Sequence, residues 1–508
     1  GEARALGRAA LERATTPEHL AILHLGLAQL DLDDDQRSAA QHARSALALP
    51  GLPRDLRLRL RIVLSVGLML SGNAASEGLD EALVEGLSSS DPATERAALL
   101  GSCVAAYLRR DFGEALSYAN RARATGAGAE PAAQTLFFAS RNAAELWGAR
   151  VRAVVGEVHE ALEVTDDGVD VARRDGRTHD LRSWMATRAR ALLACGRPQD
   201  ACREAEAVLE MLEGAGDAGG VAEAARYTMG RAALHGGGPD GARVASRTAT
   251  ALMAADTPAA RRAGRWLMAQ AVDAQGDQGA AVEFLDETLL APGGARVDHE
   301  SPDDAFIAMR ILSRAGALDR AETVVAECER QARRNPGSPW LQTTASHARA
   351  LLVRDISGLR ASIDAVPDMP SPLLGAEVLE DAAWVFRDGE PDEAVTFLDR
   401  ALELHLAAGA EGDAHRVRQK LRELGIRRQR ASRAVSPWGL TEAEVVVAEL
   451  IARGCTNREA AQRLFLSQHT VSTHLRHTFE KLGIHSRVEL AMLFGDRVAT
   501  SGDRRQVA

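Results

Sequence analysis

The sequence predicts an all-α protein in two parts, a long solenoid of paired helices and a small C-terminal domain of four helices. Three observations predict this fold. Aromatic residues are only 4% of the 508 residues while hydrophobic residues are 46%, so the core consists mainly of Ala, Leu and Val, which suits close-packed helices better than sheets. Residues 150–400 repeat with a period of about 40 residues. The C-terminal part carries three helix-start signals.

The repeat is marked by glycines at spacings of 40, 41, 39 and 40 residues, each followed five residues later by an alanine. The pairs are Gly156 and Ala161, Gly196 and Ala201, Gly237 and Ala242, Gly276 and Ala281, and Gly316 and Ala321. A further copy at Gly389 and Ala394 leaves room for one degenerate repeat, and a weaker echo occurs at Arg110–Ala115. We interpret each unit as a first helix that ends at a left-handed glycine and a second helix that packs through its alanine. Such units resemble tetratricopeptide-type repeats and stack to bury their apolar faces.

Aromatic residues stand ten positions before three of these glycines, at Tyr227, Trp266 and Phe306. We interpret them as wedges in the core between helices, while the alternative that they line an effector pocket stays open. His235 in a glycine-rich turn and His299 between two acidic residues are predicted to be polar surface residues. The solenoid is thus predicted to be a sensing or assembly arm without a catalytic site.

The composition argues against several classes of function. The longest apolar run, Ile62–Leu70, falls well short of the ~20 residues of a membrane span. Five widely spaced cysteines without a C-x-x-C motif predict reduced core thiols in a cytoplasmic protein, with no metal site. The two lysines, Lys420 and Lys481, lie outside any phosphate-binding P-loop motif. The sequence therefore predicts a non-enzymatic, cytoplasmic protein without a cofactor, and its opening Gly1 predicts a processed or truncated chain.

The net charge of −10 is unevenly distributed along the chain. Residues 416–508 contain 17 basic and 9 acidic residues, whereas the remainder is strongly acidic. This asymmetry favours nucleic acid as a partner of the C-terminal part, with a merely solvated basic end as the alternative. We predict a solenoid over 1–415, a basic linker over 416–435, a DNA-binding domain over 436–496 and a tail over 497–508. Within the linker, the stretch up to Leu424 can finish the last solenoid helix, which Gly425 then ends.

The C-terminal domain is predicted from its helix boundaries. Capping boxes begin at Thr441, Thr456 and Ser486, each with a glutamate three residues later. Gly454 and Gly483 stand where the first and third helices end. These signals predict four helices over 441–453, 456–465, 467–482 and 486–495.

The third of these helices carries two opposed faces. Its apolar face consists of Val471, Leu475, Phe479 and Leu482, and its polar face of His469, Ser472, Thr473 and Arg476. Short hydrogen-bonding side chains with one long guanidinium are what a helix needs to meet base edges in the major groove. Periodicity alone leaves an ordinary amphipathic helix as the alternative.

These residues also belong to a longer motif. It runs from Leu440-Thr441-x-x-Glu444-x-x-Val447, through Gly454-x-x-Asn457-x-Glu459-x-Ala461-x-x-Leu464-x-Leu466-Ser467-x-x-Thr470-Val471-x-x-His474-Leu475, to Lys481-Leu482-Gly483-Ile484 and Ser486-Arg487-x-Glu489-Leu490. The motif resembles the LuxR/GerE-type helix-turn-helix over about 50 residues without gaps. The whole chain resembles the large ATP-binding, maltose-regulator-like members of that family, but without their nucleotide-binding domain. Two departures are Ala460, where the family has a larger aliphatic residue, and Ser472, where it commonly has lysine.

The resemblance implies a role for several groups of residues. Contacts to bases fall to Ser472, Thr473 and Arg476. Contacts to the DNA backbone, or support for them, fall to Ser467, Gln468, His469, Thr470, His474, Lys481 and Arg487. Dimerisation falls to the fourth helix, where Val488, Ala491 and Met492 share one apolar face.

The sequence therefore predicts a DNA-binding transcription regulator. Its expected partners are double-stranded DNA, a second copy of the chain on DNA, and a small-molecule or protein effector on the solenoid. The alternatives are a C-terminal fragment of a larger ATP-binding regulator and a helical-repeat scaffold for protein interactions.

Overall fold

The structure is a computed structural model that describes residues 2–32, 35–71, 79–126, 143–213, 219–289, 303–425, 440, 442–457, 459, 460, 468–484, 486, 487 and 489–493. The chain divides into two compact units, Gly1–Gly425 and Ile426–Ala508. The described residues form helices and turns and contain no β-strand, which confirms the predicted all-α class.

The first unit is a succession of helices in which neighbours along the chain pack against each other. Their bounds are Glu2–Leu11, Pro17–Asp31, Gln36–Leu47, Arg54–Leu70, Leu79–Leu87, Pro92–Leu108, Phe112–Gly126, Ala143–Val155, Val158–Arg174, Thr178–Ala194, Pro198–Leu212, Gly220–Gly236, Gly238–Met253, Pro258–Ala274, Gln278–Leu289, Asp304–Arg314, Leu318–Arg334, Pro339–Val353, Ile356–Asp364, Pro372–Phe386, Pro391–Ala407 and Glu411–Glu423, with a 3₁₀ turn at Val366–Asp368.

The predicted repeat unit is confirmed in its two central features. All five repeat glycines follow the end of a helix and have a positive φ, from 70° to 93°. That conformation costs any other L-residue about 1–2 kcal/mol. The alanines five residues later are all buried, which allows close approach of the helix backbones. Tyr227, Trp266 and Phe306 are also buried, so their interpretation as core wedges is confirmed.

The repeat tolerates other residues at the helix end. Arg110 and Arg354 take the left-handed conformation in place of glycine, with φ of 62° and 53°. Arg354 marks the degenerate repeat, where Leu359 is fully buried at the alanine position. Gly389 does not have a positive φ, so the predicted left-handed turn at that copy was wrong, although Ala394 is buried as expected.

The helical array returns on itself, because hydrogen bonds join residues that lie 178 to 225 positions apart. The buried Asn335 side chain donates to the carbonyl oxygen of Arg110 over 2.9 Å. The Gln199 side-chain amide donates to the carbonyl oxygen of Gly409 over 3.0 Å. Each of these two contacts joins the first half of the array to the second half.

The region where distant parts of the array meet is called the return contact below. Three of the five repeat glycines lie there. A Cβ atom on Gly237 would lie 1.9 Å from the Cα of Gly412, and one on Gly156 would lie 2.9 Å from the Cβ of Trp340. Gly196 is similarly close to Pro372. Gly276, by contrast, has no atom within 4 Å of its ideal Cβ position. Glycine is therefore favoured at all five copies by the positive φ, and at three of them also because a Cβ atom would clash with the other side of the return contact.

The last helix of the first unit, Glu411–Glu423, is called the closing helix below. It packs against the helix Gly220–Gly236. His235 Nδ1 lies 2.7 Å from Asp413 Oδ2, and both residues are buried. The prediction that His235 is a polar surface residue was wrong, because the closing helix covers it. His299 lies outside the described residues.

The closing helix also places two cations on a buried carboxylate. Glu380 is fully buried, and its oxygens lie 2.7 Å from Arg416 Nη2, 2.8 Å from Lys420 Nζ and 2.9 Å from His405 Nε2. Burial by itself raises the pKa of Glu380, but Arg416 and Lys420 hold this pKa well below its usual value. Residues 416–423 thus belong to the closing helix, as predicted for the stretch up to Leu424, and Gly425 follows it with φ of 81°.

None of the helices that the structure describes is long and apolar enough to span a membrane. The five cysteines are free, and four are buried. Burial raises the pKa of Cys103 to about 12, which keeps it a thiol. Cys202 is only half-buried, so the prediction of a core position was wrong for this residue.

Candidate nucleic-acid interface

The second unit contains helices at Glu442–Ala452 and Gln468–Leu482, and residues 457, 459, 460, 487 and 489–493 are also helical. The helix Gln468–Leu482 is called the candidate recognition helix below. The core of the unit consists of Leu440, Val447, Ala448, Ile451, Cys455, Ala460, Val471, Leu475, Ile484 and Leu490, with Phe479 and Leu482 partly buried against it. The predicted apolar face of the candidate recognition helix therefore faces this core.

One of the three predicted capping boxes forms with both of its bonds, and a second forms in its serine half. The Glu459 amide donates to Thr456 Oγ1 over 3.2 Å, and the Thr456 amide donates to Glu459 Oε2 over 2.7 Å. The Glu489 amide likewise donates to Ser486 Oγ over 3.2 Å. Each box satisfies N–H groups that have no partner within the helix. Thr441, which opens the third box, lies outside the described residues.

Gly454 and Gly483 end the first and third helices of this unit in the left-handed conformation, with φ of 90° and 64°. After each glycine the chain folds back, so that the Cys455 amide donates to Leu450 O and the Ile484 amide to Phe479 O, both over 3.1 Å. Such bonds satisfy carbonyl groups at a helix C-terminus. The bond from Ile484 thus fixes the C-terminal end of the candidate recognition helix.

The candidate recognition helix exposes the face opposite its core contacts. Ser472 and Arg476 are exposed, while Val471 is fully buried and Leu475 nearly so. The helix thus presents a hydroxyl and a guanidinium on its outer surface. These are donors and acceptors of the kind that read base edges in a major groove.

A hydrogen-bonded link joins three helical segments at this face. Arg487 Nη2 donates to Asn457 Oδ1 over 2.7 Å, and Asn457 Nδ2 donates to Ser472 Oγ over 3.1 Å. The link fixes the Ser472 hydroxyl relative to the helix that begins near Asn457. Sequence reasoning did not assign Asn457 to the site, although it stands within the motif at a helix start.

Lys481 meets a partner within its own unit. Its Nζ lies 2.7 and 2.9 Å from the two carboxylate oxygens of Glu444, whose side chain is only 5% exposed. A buried carboxylate without a cation is strongly unfavourable. Lys481 therefore neutralises Glu444 and joins the first helix of the unit to the candidate recognition helix.

The end of the fourth helical stretch exposes apolar side chains. Met492 is 69% exposed and Leu493 is 43% exposed, while Ala491 is half-buried. Sequence reasoning singled out Met492 and Ala491 but missed Leu493, which adjoins them. Exposed apolar groups of this kind are typical of contacts between proteins.

The other predicted site residues are described incompletely. Ser467 and Val488 lie outside the described residues. Of Gln468, His469, Thr470, Thr473 and His474, the structure describes the helical backbone alone.

Residues 439–494 match the family of bacterial regulatory proteins of the luxR type, GerE. This stretch contains both capping boxes, the two glycines and the candidate recognition helix. The C-terminal domain is a LuxR-type helix-turn-helix domain. The resemblance that the motif indicated is thereby confirmed for this part of the chain.

Relatives of two kinds match the chain. A Mycobacterium bovis protein named as an HTH-type transcriptional regulator is 29% identical over 363 residues, which cover 70% of this chain and 39% of the relative. A Haemophilus influenzae nitrate/nitrite response regulator homologue is 44% identical over 55 residues, which cover 11% of this chain and 26% of the relative. The chain thus matches well under half of each of these relatives. The first match extends far beyond the LuxR-type domain, whereas the second is about as long as that domain.

Among solved structures, a Rap protein in complex with competence and sporulation factor aligns with 80% of this chain and 99% of its own. The sequence identity is 12% and the TM-score is 0.39, a value too low to support a functional comparison.

Proposed function

We propose that this protein is a sequence-specific DNA-binding transcription regulator in which the candidate recognition helix enters the major groove. The observation that carries the proposal is the outer face of this helix within a LuxR-type domain. Ser472 and Arg476 are exposed there, while Val471 and Leu475 on the opposite side anchor the helix in the core. A rigid helix with a polar outer face is what direct readout of base edges requires.

Within this proposal the predicted site residues take different roles. Arg476, whose side chain forms no ion pair that the structure describes, contacts a base, with Thr473 and Ser472 beside it. Ser472 is held by Asn457, so its hydroxyl is oriented before DNA binds. Lys481 and Arg487 act first as supports, through Glu444 and Asn457, and their contacts to phosphates stay predictions.

The proposal assigns different tasks to the two units. The unit Ile426–Ala508 reads DNA, and the unit Gly1–Gly425 senses an effector or partner. Binding to the helical array would shift the population of chains that are competent to dimerise on DNA. The cytoplasm, where DNA is accessible, is the proposed location.

The test of DNA binding is a salt titration with the full chain. We expect binding to duplex DNA that weakens steeply as salt is raised from about 50 to 200 mM, because released counterions dominate the affinity. A sequence selected from random duplexes should bind much more tightly than unselected duplex. Fluorescence anisotropy at several salt concentrations measures both. Salt-independent binding, or equal affinity for all sequences, would contradict the proposal and favour a scaffold for protein interactions.

Dimerisation on DNA is proposed to use the exposed apolar end of the fourth helical stretch. Met492→Glu places a charge on a side chain that is 69% exposed, so the fold should tolerate it. We expect about tenfold or greater loss of affinity for a site with two half-sites, and little loss for a single half-site, because only the former depends on a second copy.

A matched control is Val446→Glu, which places the same charge on another exposed apolar residue, 40% exposed, on the first helix of the domain. Val446→Glu should affect both DNA sites alike. Equal losses on both sites for Met492→Glu would mean that dimers form through another surface.

A further inference from the structure

The first unit contains a cavity of about 1130 Å³ at the return contact. Charged side chains of its wall come chiefly from the helix Asp304–Arg314, the helix Pro372–Phe386 with the residue that follows it, and the closing helix. The volume is comparable with the ~300–1000 Å³ typical of small-molecule sites. The cavity is therefore large enough for a small organic molecule.

Two of these helices each carry a pair of cations one turn apart on the side that lines the cavity. The pairs are Arg310 with Arg314, and Arg416 with Lys420 on the closing helix. Like charges at this spacing repel each other. Burial lowers the pKa of Lys420, and repulsion from Arg416 and Arg310 adds to this effect. The two pairs therefore share one part of the wall.

The carboxylates that balance these cations lie mostly behind them. Glu380 and Asp413 pair with the cations of the closing helix, and both are buried. Asp381 pairs with Arg310 over 2.8 Å, is buried and is not among the described residues that line the cavity. Burial raises the pKa of Glu377 well above its usual value, and Arg310 only partly offsets this effect. Glu377 therefore contributes no negative charge to the wall.

The charge that reaches the cavity is consequently mainly positive. The accessible cations of the wall, whose side chains are 28% to 48% exposed, are Arg314, Arg387, Arg416 and Lys420. Among the acids of the described wall, Asp273 is 15% exposed and Glu423 is exposed. Four accessible cations against two accessible carboxylates leave a surplus of two positive charges.

Two of the accessible cations have hydrogen-bond donors to spare. Arg314 Nε donates to the carbonyl oxygen of Arg310 over 3.3 Å, and its Nη2 donates to Asp273 over 2.7 Å. Arg314 Nη1 has no partner among the described residues and keeps accessible surface. The Lys420 ammonium uses one of its three donors on Glu380. The remaining donors are available to an anion in the cavity.

The surplus charge and the spare donors select the kind of anion. A phosphate ester carries a charge of about −1.5 to −2 at pH 7 and three acceptor oxygens, which suits a surplus of two positive charges. A single carboxylate brings only one charge and two oxygens. The cavity is larger than a phosphate group, and its wall also offers the half-buried apolar side chains of Leu234, Ile307 and Trp384. These side chains favour a ligand with an organic part.

We infer that this cavity binds a small organic phosphate ester, with its phosphate group on Arg314, Arg416 and Lys420 and its organic part against Ile307 and Trp384. The inference rests on the proposed function only in treating the ligand as an effector, since the binding itself does not involve DNA.

The position of the cations gives the ligand a route to the rest of the protein. Arg416 and Lys420 belong to the closing helix, and the unit ends at Gly425, two residues after this helix. Arg314 belongs to a helix about 100 residues earlier in the chain. A phosphate group that contacts all three cations therefore holds the closing helix against the array. Differential contact of this kind is what a population shift requires.

The test is isothermal titration calorimetry on the full chain without DNA, in a buffer free of phosphate and sulfate. The probes are glucose 6-phosphate and phenyl phosphate, their uncharged counterparts glucose and phenol, inorganic phosphate, and succinate as a dicarboxylate. At least one ester should bind with a Kd below about 1 mM, and which of them binds distinguishes a sugar-like from an aromatic organic part. Its uncharged counterpart, inorganic phosphate and succinate should each bind at least about tenfold more weakly.

The residue assignment is tested by Arg314→Gln, with Arg349→Gln as the matched control. Arg349 is 37% exposed, is paired with Glu322 and Glu329, and is not among the described residues of the wall. Arg314→Gln should weaken binding of the ester at least about tenfold, because it removes a donor and a charge from the phosphate site. Arg349→Gln should leave binding of the ester unchanged.

Two further variants guard the interpretation. Arg476→Gln removes a cation from the candidate recognition helix and should leave binding of the ester unchanged, which excludes the DNA-binding face as the phosphate site. If circular dichroism shows that Arg314→Gln is unfolded, Lys420→Gln takes its place with the same expected loss. Glu380 would still be paired with Arg416 and His405 in that variant.

Four results would overturn the inference: no binding by either ester, binding of an uncharged counterpart as tight as that of its ester, binding of inorganic phosphate or succinate as tight as that of the ester, or equal losses in the cavity variant and a control. None of them bears on DNA binding, which is measured separately. A failure of the proposed DNA binding would equally leave the calorimetric result intact.

Discussion

Gly237→Ala is expected to destabilise the helical array by about 2–5 kcal/mol. Part of the loss, about 1–2 kcal/mol, comes from forcing an alanine to a positive φ of 80°. The remainder, about 1–3 kcal/mol, comes from overpacking, because the new Cβ would lie 1.9 Å from the backbone of Gly412. A backbone neighbour cannot rotate away as a side chain can. Urea unfolding followed by circular dichroism at 222 nm measures the loss.

Two matched variants separate the contributions. Gly276→Ala also requires a positive φ, 89°, but has open space around the new Cβ, so it should lose only about 1–2 kcal/mol. Gly412→Ala has the clash without a positive φ, since its Cβ would lie 2.1 Å from Gly237 Cα. It should destabilise the array even though alanine is the better helix former. Equal losses for Gly237→Ala and Gly276→Ala would mean that the return contact contributes nothing to stability.

Arg476→Ala is expected to lower affinity for the preferred DNA site and to flatten the preference at one or two base pairs. A guanidinium that donates two hydrogen bonds to a guanine typically contributes about 1–3 kcal/mol of discrimination against the wrong base. The exposed position of Arg476 on the candidate recognition helix leaves it available for such a contact. A binding series on base-substituted duplexes at fixed salt measures the effect.

The control is Arg453→Ala, which removes the same charge from the same domain. The Arg453 side chain is 64% exposed, lies just after the first helix of the domain and is 3.9 Å from the Glu449 carboxylate. Its loss should weaken binding modestly and by the same factor on every sequence, through the general attraction to phosphates. If Arg476→Ala behaved in the same way, Arg476 would be a phosphate contact and the reading face would lie elsewhere.

The role expected of Lys481 from the sequence differs from the contact that its side chain makes in the folded domain. The family resemblance implied support of, or contact with, the DNA backbone. In the folded domain the ammonium lies between the two oxygens of the nearly buried Glu444. The two residues are 37 positions apart, and no local pattern pairs them. The same holds for the link from Arg487 through Asn457 to Ser472.

The sequence by itself determined the features that depend on neighbours within a few residues. The capping box at Thr456, the serine half of the box at Ser486, the positive φ of five repeat glycines and the buried face with Val471 form as predicted. They follow from helix periodicity and from hydrogen bonds that span three or four residues, and these can be counted along the chain.

Only the tertiary structure decided what happens where the array returns on itself. The burial of His235 by Asp413, the difference between Gly237 and Gly276, and the cavity that Arg314 and Lys420 share all depend on which turns of the array meet. That pairing is set by the small rotation that accumulates from each repeat to the next. Between residues about 180 positions apart, many such rotations add up. A repeat of about 40 residues therefore predicts that neighbouring helices stack, but it does not predict which distant residues face each other where the array returns on itself.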